Sequence, residues 1–79
     1  MNLNTATLAT DEEIKDIMDY HEWTDAQVES GVKIRESIGT ALKVIINTVP
    51  PCHDRSAAIR KLREARMDCN SAITHNGKY

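Results

Sequence analysis

A tyrosine at position 20 and an arginine at position 35 are the side chains of this sequence best suited to hold a small anion that carries flat rings. An aromatic ring can stack on a base, and a guanidinium can fork two hydrogen bonds onto a phosphate. Between them lie a junction and about three turns of helix. A second source of positive charge runs from Arg55 to Arg66, where five bases face Glu64 alone, and Arg55, Lys61 and Arg66 crowd toward the apolar edge of their helix. From Asp11 to Glu29 the balance reverses, with eight acids against Lys15. The net charge of −2 therefore averages two opposite poles. An acidic half argues against duplex nucleic acid as a partner, since that binding needs an overall basic footprint. The acids read as a solvated face or as a match for the basic helix of a neighbouring copy.

Other chemistry is weaker. Cys52, His53, Cys69 and His75 are the right elements for zinc, but adjacent Cys52 and His53 lack the gap between ligands that finger-type sites use. Cys69 is expected to pack in a helical seam and Cys52 to sit in a solvated turn, so no metal and no cofactor is expected. There is no paired carboxylate in an apolar setting, no Ser/His/Asp set and no Gly-rich phosphate loop, which argues against an enzyme. Without a secretory segment or a long apolar run, the expectation is a reduced, cytoplasmic protein that does not enter a membrane.

Helices must position these groups. Thr24 with Gln27 reads as a capping box opening a long helix. Apolar residues then recur at Val28, Ile38, Leu42, Ile45 and Val49, with Gly31 and Arg35 in the same register. An arginine in an apolar register is costly unless it snorkels or serves an anion. Val49-Pro50-Pro51 ends that helix, and a second opens at Asp54-Arg55-Ser56, with Asp54 as its cap and Ala58, Ile59, Leu62, Ala65, Cys69, Ala72 and Ile73 as its stripe. Asn76-Gly77 closes it, leaving Lys78 and Tyr79 as a frayed tail. Ahead of the hairpin, Thr10 and Glu13 cap a short helix with an apolar face at Ile14, Ile17 and Met18, ending near Tyr20 and able to dock on the hairpin. The fold class is all-α: a flexible arm over residues 1–10, then one domain over 11–79 built of a short helix and a long αα-hairpin.

Of the three aromatic residues, two stand at the junction of the short and long helices. Trp23 is expected to plug the open end of the hairpin, as the hydrophobic staple before the Thr24 cap. Tyr20 either joins that plug or meets a ligand. A chain of 79 residues forming one hairpin has no third layer, and Val32, Ile34, Val44 and Ile46 lie off the main stripe. Such small domains need disulfides, a metal or partner subunits, and the economical expectation is a symmetric homo-oligomer.

The segment Asp19-Tyr20-His21 with Thr24 and Gln27, followed by Val49-Pro50-Pro51-Cys52-His53-Asp54-Arg55-Ser56 and by Lys61-Leu62, Glu64-Ala65, Met67 and Asn70, resembles the hairpin domain of small phage proteins that act as cyclic-oligonucleotide sponges. These are the anti-CBASS and anti-Thoeris sponge proteins. The likeness covers roughly residues 20–73 and is most specific from the proline pair to Asn70. It implies a helical homohexamer that sequesters cyclic dinucleotides, cyclic trinucleotides or cyclic ADP-ribose isomers between protomers without cleaving them, in the cytoplasm of an infected bacterium. Tyr20 matches the family's base-stacking tyrosine, and Arg35 falls where a lysine commonly contacts phosphate, a change that keeps the charge and alters the hydrogen-bond geometry. Arg55 and Asn70 match residues of the hairpin motif, with Lys61 a lesser candidate. Without a ligand, Arg55 would be solvated and Asn70 would bond across the helices. The rival expectation is a helical module that binds a host protein through its apolar or acidic face.

Overall fold

The computed structural model describes residues 10–79, which form three helices: α1 over Asp11–Met18, α2 over Asp25–Thr48 and α3 over His53–Thr74. All but Thr10 of the arm expected over residues 1–10 lies outside the described residues. Both capping boxes form as the sequence predicts. The Thr10 hydroxyl accepts from Glu13 N at 3.1 Å, and the Thr24 hydroxyl accepts from Gln27 N at 3.2 Å while Gln27 Oε1 takes the Thr24 amide at 2.9 Å. Val49 is extended, with ψ 132°, so α2 stops before the proline pair. Asn76 and Gly77 adopt φ of 53° and 73°, and the Gly77 amide reaches back to the Ala72 carbonyl, which ends α3.

The second cap differs from expectation. Cys52, not Asp54, is the N-cap of α3, its sulfur accepting the Arg55 amide at 3.4 Å. Asp54 falls in the first turn instead, where the helix dipole favours an acid. The short α1 ends at Met18, two residues before Tyr20.

α2 and α3 pack antiparallel as the expected hairpin. On α2 the half-buried side chains are Gln27, Ile34, Ile38, Ala41, Leu42 and Ile45, around a fully buried Gly31. Ile34 thus belongs to the inner stripe, whereas Val28 and Val49 are 47% and 36% exposed. At 100° per residue, Val28 is rotated a full step from Gln27 and leaves the face that Gln27, Gly31, Ile34 and Ile38 share. On α3 the inner stripe keeps Ala58, Ile59, Leu62, Cys69 and Ile73, while Ala65 and Ala72 are exposed. Among the described residues no apolar side chain is fully buried. Two helices have no third layer to close over their seam.

At the open end of the hairpin, where α2 begins and α3 finishes, Trp23 lies across Gly31. A Cβ at position 31 would sit 2.7 Å from Trp23 Cη2 and closer still to Cζ3, so only glycine admits the ring. The indole Nε1 donates to Thr74 Oγ1 at 2.7 Å and Gln27 Nε2 donates to the Ile73 carbonyl at 2.9 Å. Trp23 is the plug that its position before the cap predicted.

Candidate functional site

A groove of about 380 Å³ runs along one side of the hairpin. α2 contributes Arg35, Ile38, Gly39 and Leu42, and α3 contributes Arg63, Arg66, Met67 and Asn70. Each set follows the i, i+3, i+4, i+7 spacing of a single helical face, so the groove is built by helix geometry rather than by a loop. Its floor is apolar and its rim carries three guanidiniums and an amide. Among the described residues, none of these three arginines forms an ion pair or a side-chain hydrogen bond, and neither does the Asn70 amide. Three guanidiniums lining one groove make it a place where an anion is favoured. The cavity is of a size that small-molecule ligands occupy.

Gly39 opens this groove. A Cβ added there would meet nothing within 4 Å, so its glycine leaves space rather than fitting a neighbour inside the chain.

The expected site residues divide. Arg35 and Asn70 come together in the groove, one from each helix. Tyr20 does not join them within the chain: it lies in the linker between α1 and α2 and is 88% exposed. From Thr24 to Arg35 the helix rises about 16 Å, so a Tyr20 that meets this groove must come from another copy. Arg55 sits at the opposite end, where its Nη1 donates to the Val49 carbonyl at 3.1 Å and satisfies one of the open C-terminal carbonyls of α2. Lys61 is exposed on the far side of α3, since the nine residues separating it from Asn70 place it about half a turn out of phase. Arg63 was not singled out by sequence reasoning. Its signal is present all the same, because Arg63, Arg66 and Asn70 share a face.

A second depression, of about 320 Å³, is lined by Ala26, Gln27, Ser30, Ile73 and Asn76. Two of its polar side chains are engaged: Gln27 bonds Ile73, and Ser30 Oγ donates to the Ala26 carbonyl at 3.1 Å. It offers a ligand less than the arginine groove does.

Polar contacts concentrate instead around Asp16. The Tyr79 hydroxyl donates to Asp16 Oδ2 at 2.7 Å, Lys78 Nζ stands 3.6 Å from the same oxygen, and His21 Nε2 lies 3.4 Å from Oδ1 and 2.6 Å from the Asp16 carbonyl. His75 stacks edge-on against both His21 and Tyr79, with centroids 5.1 and 5.2 Å apart. The Tyr79 hydrogen bond is the main cause that holds the Asp16 carboxyl below the usual carboxylate range, and the same bond raises the Tyr79 phenol. Lys78 is raised, first by the Tyr79 phenol beside it and then by Asp16. The last two residues are therefore tied to α1, which corrects the expectation of a frayed tail. α1 is anchored here through Asp16, while Ile14 and Met18 of its apolar face stay 49% and 79% exposed.

The four residues weighed for zinc do not converge. Cys52 caps the start of α3, and Cys69 lies 17 residues along the chain, about 26 Å of helix away.

Comparison of the chain with protein-family models, with curated proteins and with solved structures returns no match. Among the described residues, no helix is long and apolar enough to cross a membrane. What fold and site define together is an all-helical hairpin with an arginine-rimmed groove.

Proposed function

We propose that this protein is a sponge for cyclic oligonucleotide messengers: a phage-encoded helical homo-oligomer, a hexamer by its family resemblance, that sequesters cyclic dinucleotides without cleaving them. Cyclic trinucleotides and cyclic ADP-ribose isomers are the other members of its ligand class. Held in the cytoplasm of an infected bacterium, the messenger no longer reaches its host receptor and anti-phage signalling stops. The observation that carries this reading is the groove in which Arg35, Arg63, Arg66 and Asn70 surround an apolar floor, their donors without a partner among the described residues.

Oligomerisation is supported by a second feature. Val28, Val32, Arg35, Gly39, Leu42, Ile46 and Val49 follow a 4,3 spacing along α2, and Val28, Val32, Ile46 and Val49 are 36–49% exposed. Such a seam suits a partner helix, with Gly39 allowing close approach. The reading requires a neighbouring copy placed so that its own Tyr20 reaches a groove whose phosphate donors belong to the first chain. Two copies then present two rings and two sets of cations to a ligand that itself has two bases and two phosphates. Each charge-assisted contact contributes about 1.5–3 kcal/mol and each stacked base about 1–3 kcal/mol. Two of each sum to about 5–12 kcal/mol before the ordering cost, so tight binding also draws on the remaining guanidiniums of the two grooves.

The exposed Val44, Ile46 and Met67 also favour a second reading, a helical module that binds a host protein. Calorimetry with a panel of cyclic nucleotides separates the two, since silence across the panel favours the module. A sponge sediments as an oligomer and returns a cyclic dinucleotide intact after incubation, whereas a lone folded subunit at micromolar concentration, or a hydrolysed ligand, contradicts it.

A further inference from the structure

We propose that Asp16, His21 and His75 form a binding site for a divalent transition ion of the zinc class, separate from the arginine groove. The three residues come from three places: α1, the linker, and the C-terminal end of α3. One ligand atom from each lies within 4.8 Å of the others. Tetrahedral zinc with bonds near 2.0–2.1 Å sets its donors about 3.3 Å apart. Asp16 Oδ1 and His21 Nε2, at 3.4 Å, already stand at that separation. His75 Nδ1 stands 4.0 Å from the other carboxylate oxygen, Oδ2, and with all three ligand atoms within 4.8 Å of one another the set reaches that spacing by shifts of at most about 1.5 Å.

The donor set is chemically suited. Two imidazoles and one carboxylate match the borderline ligands that zinc, nickel and copper(II) prefer over calcium or magnesium. The surroundings resemble those that orient ligands in metal centres. The Tyr79 hydroxyl donates to Asp16 Oδ2 at 2.7 Å and so fixes the carboxylate, and the His75 side chain is only 9% exposed, held edge-on between two rings. The cluster already draws positive charge, since Lys78 Nζ lies 3.6 Å from the carboxylate. A bound ion displaces that ammonium, replaces the proton that His21 Nε2 donates to the Asp16 carbonyl, and leaves a fourth position for water. The metal then clamps α1 and the linker to the end of α3, a junction held otherwise by the contacts to Asp16.

The test is calorimetric titration of ZnCl₂ into the full chain carrying Cys52→Ser and Cys69→Ser, which removes thiols as competing ligands. Saturable binding of one ion per chain at micromolar concentration is expected, and Co²⁺ in its place should give the intense visible absorption of a tetrahedral ion. His75→Ala, and separately His21→Gln at the more open linker position, should each weaken binding by about tenfold or more. Circular dichroism on His21→Gln checks that the helices persist. Zinc binding that disappears with the two cysteines, or that is unchanged in both His21→Gln and His75→Ala, overturns the assignment.

Discussion

Two glycines on α2 mark two regions with opposite logic. Gly31 is buried beneath Trp23, at an end of the hairpin where indole, amide and hydroxyl groups are paired across the chain. Gly39 stands two turns further on in an open groove, where a Cβ would touch nothing and the arginine donors around it have no partner among the described residues. The open end of the hairpin, closed off by Trp23, supplies stability. The groove spends helix propensity and gathers three guanidiniums, which makes sense where a ligand or a second copy completes it.

Substitutions can break this contrast in order of size. Trp23→Ala removes both the ring on Gly31 and the donor to Thr74, and should lower stability by about 2–4 kcal/mol in urea denaturation. Arg35→Ala and Arg63→Ala should leave stability within about 0.5 kcal/mol, because neither guanidinium has a partner among the described residues. Each should instead weaken cyclic dinucleotide binding by about tenfold to a hundredfold, read by calorimetry. The glycines themselves separate next: Gly31→Ala should cost about 1–3 kcal/mol by displacing the indole. Gly39→Ala should raise the stability of the subunit by about 0.5–1 kcal/mol while weakening the ligand or the oligomer. Equal effects at the two positions would erase the contrast.

The smallest effect is a pH dependence in the cluster around Asp16. Asp16 titrates below the ordinary carboxylate range because Tyr79 donates to it. Its contribution is therefore complete at neutral pH, above its value in the unfolded chain, and is lost as the pH falls through the lowered folded value. Release of Tyr79 and α1 in acid, before the hairpin melts, should appear in the NMR signals of the Tyr79 ring. Asp16→Asn should abolish that acid transition while retaining a weaker hydrogen bond.

Helices, the two capping boxes and the proline stop were legible in the sequence because each depends on residues within four positions of one another, whereas the α3 cap fell on Cys52 and not on Asp54. Trp23 as a plug was legible for the same reason, from its place before Thr24. The cluster around Asp16 was not: Asp16, His21, His75 and Tyr79 lie up to 63 positions apart, and no spacing rule joins an α1 carboxylate to Tyr79. Ile34 was misplaced because a valine one position after Gln27 imitated the stripe in hydrophobicity but not in angle. Arg35 was legible as an anomaly in an apolar register, and its partner Arg63 became visible only when the crossing of α2 and α3 decided which basic residues share its side.

Calorimetric titration of the full chain with a panel of cyclic di- and trinucleotides, alongside Arg35→Ala, measures most directly whether the groove arginines serve an anion. Saturable, submicromolar binding to at least one cyclic nucleotide, lost in the Arg35 variant while the oligomer persists, is the expected result. Silence across the whole panel, or binding indifferent to Arg35, would contradict it and leave the exposed apolar face as the part of the molecule to explain.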